Sequence, residues 1–115
     1  PRYNNSKILI QIQLCYSKED NYTGYARLYR NSTWIYPLTS DRGFPLRGQS
    51  TWGVDIGFIQ YMDSPTTTSS VTYNFYCYAS HASYPIRINR NHGNSQDTYS
   101  GGIASSSILL TEVKQ

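Results

Sequence analysis

The segment Lys7–Tyr16, KILIQIQLCY, constrains this chain more than any other. Ile8, Ile10, Ile12, Leu14 and Tyr16 occupy every second position, with Leu9, Gln11, Gln13 and Cys15 between them. Side chains alternate across a strand, so this period sends one apolar row to one face and a mixed row to the other. A strand of this kind needs neighbours along its edges and a second layer over its apolar face. The rest of the chain offers both. Tyr22–Arg30 sets Tyr25, Arg27 and Tyr29 against Ala26 and Leu28, and Thr33–Tyr36 is a short strand closed by Pro37. Gly53–Tyr61 places Val54, Ile56 and Phe58 on one face and Asp55 on the other, exposed one. Gly57 inside it marks a bulge or a close backbone approach. Val71–Ala79 points Val71, Tyr73, Phe75, Cys77 and Ala79 one way; Tyr84–Asn89 follows with Ile86 and Ile88 inward, and Ile103–Val113 closes the chain.

No window shows a 3.6-residue period, and polar turn clusters separate the strands. The prediction is an all-β fold: one domain over residues 1–115, an antiparallel β-sandwich of about eight short strands. The first two strands read as a hairpin or meander, and the last as a strand in the middle of a sheet. Hydrophobic residues make up 38% of the chain, and Tyr alone supplies 12 of them, so few aliphatic side chains are left to fill a core. Such a protomer is expected to bury further surface by forming a homo-oligomer.

Charge narrows the partners. The net charge is +3, and the arginines are scattered in pairs: Arg27 and Arg30, Arg42 and Arg47, Arg87 and Arg90. Nucleic-acid binding needs a denser basic stripe, and no apolar run approaches the roughly 20 residues of a membrane span. Neither nucleic acid nor membrane insertion is expected. The opening Pro1-Arg2-Tyr3, with no Met and no signal sequence, reads as a processed product or an excised domain. Cys15 and Cys77 both fall in strand-like segments and read as small buried hydrophobes, a single disulfide between them being the alternative. The sequons at Asn4, Asn21 and Asn31 matter only on a secretory route.

Catalytic chemistry finds little to work with. The carboxylates are Glu19, Asp20, Asp41, Asp55, Asp63, Asp97 and Glu112, and no two of them are recognisable as a pair flanking a cleft. His81 and His92 lie in loops, without metal-ligand spacing. With Asp97 and a serine they would make a hydrolase or nuclease set, but no nucleophile elbow accompanies them. The chain is therefore expected not to be an enzyme and to hold no cofactor or metal.

Tyr, Ser, Asn, Gly and Thr with sparse charge form the palette of recognition surfaces. Leu38–Thr51 is the longest irregular stretch, and long loops tend to be functional. Arg42, Arg47, Trp52, Tyr84 and Tyr99 are the candidate receptor-binding residues. Arg42 and Arg47 suit a sugar carboxylate. Trp34 and Trp52 read as packing residues first and as anchors second. Tyr36, Tyr61, Tyr84 and Tyr99 flank loops, where they would face a partner. A carbohydrate-binding module or lectin-like domain is the alternative reading of the same palette.

The C-terminal segment Ser100–Gln115, SGGIASSSILLTEVKQ, runs from small residues into Ile108-Leu109-Leu110 and ends almost at the chain terminus. With the length and the Tyr/Ser/Thr/Asn-rich strands, it resembles the C-terminal head (knob) of an adenovirus fibre. The likeness is to the compact heads of reptilian atadenoviruses such as snake adenovirus. Such heads open on a Thr-Leu-Trp-Thr signature; its nearest counterparts, Ser32-Thr33-Trp34-Ile35 and Ser50-Thr51-Trp52-Gly53, lie inside this chain. The resemblance implies a homotrimer at the tip of a fibre on the virion surface. It implies attachment to a host cell-surface receptor, protein or glycan. It also implies assembly inside the host cell, in the nucleus, with Cys15 and Cys77 as free thiols.

Overall fold

The computed structural model describes residues 1–18, 22–38, 42–47, 53–91 and 104–114. Within them the chain forms strands β1 (Lys7–Ser17), β2 (Gly24–Arg30), β3 (Thr33–Tyr36), β4 (Phe44–Leu46), β5 (Asp55–Asp63), β6 (Tyr73–Ala79), β7 (Arg87–Ile88) and β8 (Ser107–Val113). Among the described residues there is no helix, and so none long and apolar enough to cross a membrane.

The strands make two antiparallel sheets of four. In the first, β1 is the axis. β5 runs along one edge from Ile8 to Tyr16, while β8 covers Lys7–Gln13 on the other and β7 covers Tyr16 and Ser17. Between β8 and β7 the backbone groups of Cys15 are still satisfied. Its N–H donates to Ser106 Oγ at 2.9 Å, and its carbonyl accepts from Asn89 N–H at 2.9 Å. In the second sheet β2 is the axis, with β6 along its whole length on one edge and β3 and β4 sharing the other. β1 and β2 thus belong to different sheets rather than to one hairpin. Each carries its own apolar row, and the two rows face each other across the core.

That core is the row read from the sequence. Ile8, Ile10 and Ile12 of β1 and Ile59 of β5 pack against Leu28 of β2 and Ile35 of β3, with Ile10 and Ile12 essentially solvent-free. Leu14 and Tyr16 extend the core towards Ala26 and Leu46, with Cys77 and Ile86 at its margin. Burying each such aliphatic side chain contributes about 2 kcal/mol.

A tie between the sheets closes one end. Asp63, at the end of β5, is buried and accepts from Arg30 Nη1 at 3.0 and 3.1 Å and from Tyr73 Oη at 2.7 Å. Burial, the Asp63 hydrogen bond and the Asp63 charge push the Tyr73 phenol well above its ordinary range.

Three further sequence expectations change. β5 turns Asp55, Gly57, Ile59, Tyr61 and Asp63 towards the core, so Ile56 and Phe58 point outward at 68% and 59% exposure. Gly57 makes no bulge; it pairs regularly with Leu14, and a Cβ there would meet the Tyr16 ring at 3.5 Å. β8 is not in mid-sheet: among the described residues it pairs with β1 alone and is exposed over nearly its whole length. Cys15 and Cys77 are free thiols. Cys15 points to the outer side of the first sheet and Cys77 into the core from the second, so they do not face each other. Burial pushes the Cys77 thiol up to about 11.

Candidate recognition surface

The outward face of the second sheet follows from the alternation of β2. Gly24, Ala26 and Leu28 are buried, so Tyr25, Arg27 and Tyr29 project away from the core. The register brings Tyr78 beside Tyr25, Tyr76 beside Arg27 and Asn74 beside Tyr29. On the other edge Tyr29 faces Trp34. A register shift between Leu28 and Tyr29 leaves Ile35 as the extra residue of β3. A bulge of this kind breaks strict alternation. Ile35 and Tyr36 both pack with the core, while Trp34 stays on the outer face. Trp34 Nε1–H donates to the Tyr36 carbonyl at 2.9 Å, which fixes the indole.

Arg27 is the centre of this face. Its guanidinium carbon lies 4.3 Å from the Trp34 ring centroid and 5.1 Å from that of Tyr78. Cations over aromatic faces are held by the ring quadrupole, more strongly for Trp than for Tyr or Phe. Tyr25 stacks on Tyr78 with centroids 5.5 Å apart, and Tyr29 meets Tyr76 edge-on at 5.2 Å. Aromatic pairs in these geometries prefer their observed offsets. The result is a fixed platform of aromatic rings around one cation, with Tyr76 left 56% exposed.

A cleft adjoins the platform. Arg42 Nη1 reaches Tyr25 Oη at 3.5 Å, and Tyr78 Oη–H donates to the Arg42 carbonyl. These contacts lay the segment 42–47 along the platform's margin. Gly43 makes the close approach there. Its φ is +101°, and a Cβ would sit 2.5 Å from the Ala26 carbonyl oxygen. Only glycine adopts this conformation without strain. The cleft encloses about 450 Å³ between Tyr25, Tyr36, Phe44 and Pro45, and its charged lining residues, Arg42 and Arg47, are both cationic.

The structure therefore brings two of the sequence candidates, Arg42 and Arg47, into one cleft. Tyr84 sits in a different cluster, stacked on Tyr22 at 3.9 Å with His81 5.1 Å from both rings. Trp52 and Tyr99 lie outside the described residues, as do His92 and Asp97. Tyr36 lines the cleft but also packs on the core, its ring 5.0 Å from that of Tyr61. Sequence reasoning passed over Arg27 and the Tyr25, Tyr76 and Tyr78 rings because it favoured loops. The signal was present in the Tyr25-x-Arg27-x-Tyr29 alternation. Among the described residues no three His, Cys, Asp or Glu side chains gather as a metal site would require.

Compared with family models, curated proteins and solved structures, the chain matches none.

Proposed function

We propose that this chain is a binding domain: a trimeric β-sandwich head of viral-fibre type that attaches a virion to a host cell-surface receptor. Its place is the fibre tip, and it acts by recognition rather than turnover. The observation that carries this reading is the platform around Arg27, a rigid aromatic surface beside a cleft with two further arginines. Aromatic anchors and arginine dominate binding hot spots, because they give large contact area at little entropic cost. Threefold display raises the avidity of a weak single site.

The ligand chemistry that fits is a ring face with an attached anion. Sugar faces stack on Tyr and Trp, and a carboxylate suits guanidinium groups. This also favours the lectin-like alternative, in which a single copy binds glycan without a fibre. Cell-surface binding and a glycan array separate the two. The head reading expects cell binding that Trp34→Ala or Arg27→Ala weakens at least tenfold. Binding that both variants leave intact would remove the platform from the account.

A further inference from the structure

The outward face of the first sheet sets exposed apolar side chains among uncharged polar ones. β1 contributes Leu9, Gln11 and Gln13 to it, β5 contributes Ile56, Phe58, Gln60 and Met62, and β8 contributes Leu109 and Thr111. From Leu9 to Cys15 this face carries no charged side chain. Ile56 is 68% exposed, Phe58 59%, Leu109 57% and Met62 43%. The apolar surface then turns the corner of the sheet. Ile108 and Leu110 point to the other side of β8 and are 50% and 48% exposed. Among the described residues no strand pairs with the outer edge of β8.

Exposed apolar patches larger than a few hundred Å² mark interaction sites, and an unpaired apolar edge strand is open to a further chain. Three strands about 4.8 Å apart over seven residues cover roughly 350 Å² in projection. The strip formed by the β8 edge adds to this, towards the roughly 800 Å² that each partner buries in a standard interface. Interfaces between identical chains are the most apolar class, with charge depleted from their centres.

We infer that this face and the β8 edge are the contact between copies of this chain, the edge of one protomer lying against the face of the next. The two patches differ, so the contact is heterologous; such a contact makes a ring where the rotation between copies closes and an open filament where it does not, and the trimeric reading requires the closed form. The inference rests on the trimeric reading above and names the surface that would build it. It also assigns the two sheets separate tasks. The first binds a copy and the second binds the ligand.

The test is solution mass by light scattering on the full chain, with cell binding read on the same samples. The expected mass is about 40 kDa, three times the 13.2 kDa chain. A Phe58→Glu/Leu109→Glu variant is expected to fall to one chain mass with its β-type circular dichroism retained. Tyr76→Glu, on the opposite sheet, is expected to stay assembled. Should the double variant fail to fold, Leu109→Gln replaces it, and dissociation is expected at a concentration at least tenfold higher than in the parent chain. A parent chain of 13.2 kDa at every concentration, or assembly unmoved by these variants, overturns the inference. A dimer lost in the double variant keeps the contact and overturns the ring of three. A monomer that still binds cells through Trp34 defeats this inference and the trimeric part of the reading while leaving attachment standing; an assembled chain that binds no cell defeats the attachment reading alone.

Discussion

Tyr25, Arg27, Tyr29, Trp34, Tyr76 and Tyr78 face outward from the second sheet; Leu9, Gln11, Ile56, Phe58, Met62 and Leu109 face outward from the first. The backbone geometry beneath them is the same, an antiparallel sheet with a buried row on its other side. The side chains differ in what they ask of a partner. Aromatic rings locked by a central guanidinium present fixed shape, polar edges and positive charge, which discriminate among ligands. Aliphatic chains and glutamines present area without charge, which suits a partner that is always the same. On the proposed reading, one small domain separates specificity from assembly by placing them on opposite faces.

That separation depends on the two sheets staying back to back. Arg30→Met removes the cation from the buried Asp63 and leaves it only the Tyr73 hydroxyl. Breaking one side of such a pair costs about 3 kcal/mol. Urea unfolding is expected to show a loss of that size, and an unchanged midpoint would mean that the core alone aligns the sheets. A smaller and more local effect comes from Gly43→Ala. The added methyl meets the Ala26 carbonyl at positive φ, a strain of about 2 kcal/mol. Ligand binding at the cleft is expected to suffer while the assembled mass stays constant. A change in mass instead would join the two faces that the account holds apart.

The smallest effect is a matter of pH. Asp55 points inward beside Tyr16, and its Oδ2 is buried without a hydrogen-bond partner. Burial raises its carboxyl above the ordinary value, with Lys18 acting against the shift. A raised folded value means that the fold favours the protonated acid. The stability Asp55 supplies is therefore full below the ordinary Asp range of about 4 and is lost as pH rises through the folded value. Asp55→Asn is expected to melt higher than the parent chain at pH 7, with the gap closing towards pH 4. A gap of opposite sign would show that Lys18 outweighs the burial.

Much of the fold was legible from alternation. β1, β3 and β6 follow the sequence segments closely, because each has one plainly apolar row or, for β3, the sharp boundary of Pro37. β5 misled because its inward row carries Asp55, Gly57 and Asp63 while its outward row carries Ile56, Phe58 and Met62. The residues alone favour burying Ile56 and Phe58, and only pairing with β1, which sets Ile59 against Ile12 and Tyr61 against Ile10, decides that the other row is buried. The position of β8 was not legible either, since Ile108, Leu109 and Leu110 would suit a central strand as well as the exposed edge strand that β8 forms among the described residues. The site was half legible. Arg42 and Arg47 stood out as loop cations, but Arg27 gained its role from the cross-strand register that sets Trp34 against Tyr29 and Tyr78 against Tyr25, and register between distant segments has no signature in the residues themselves.

The most direct test of the division between the faces is hydroxyl-radical footprinting of the intact chain over a range of concentrations. Met62 is the single methionine, 43% exposed in the lone protomer, and Tyr76 is 56% exposed on the opposite face. Sulfur oxidation follows exposure. The account predicts that Met62 becomes protected as the chain assembles while Tyr76 is labelled throughout. Met62 oxidised equally at every concentration, or Tyr76 protected in its place, would contradict it.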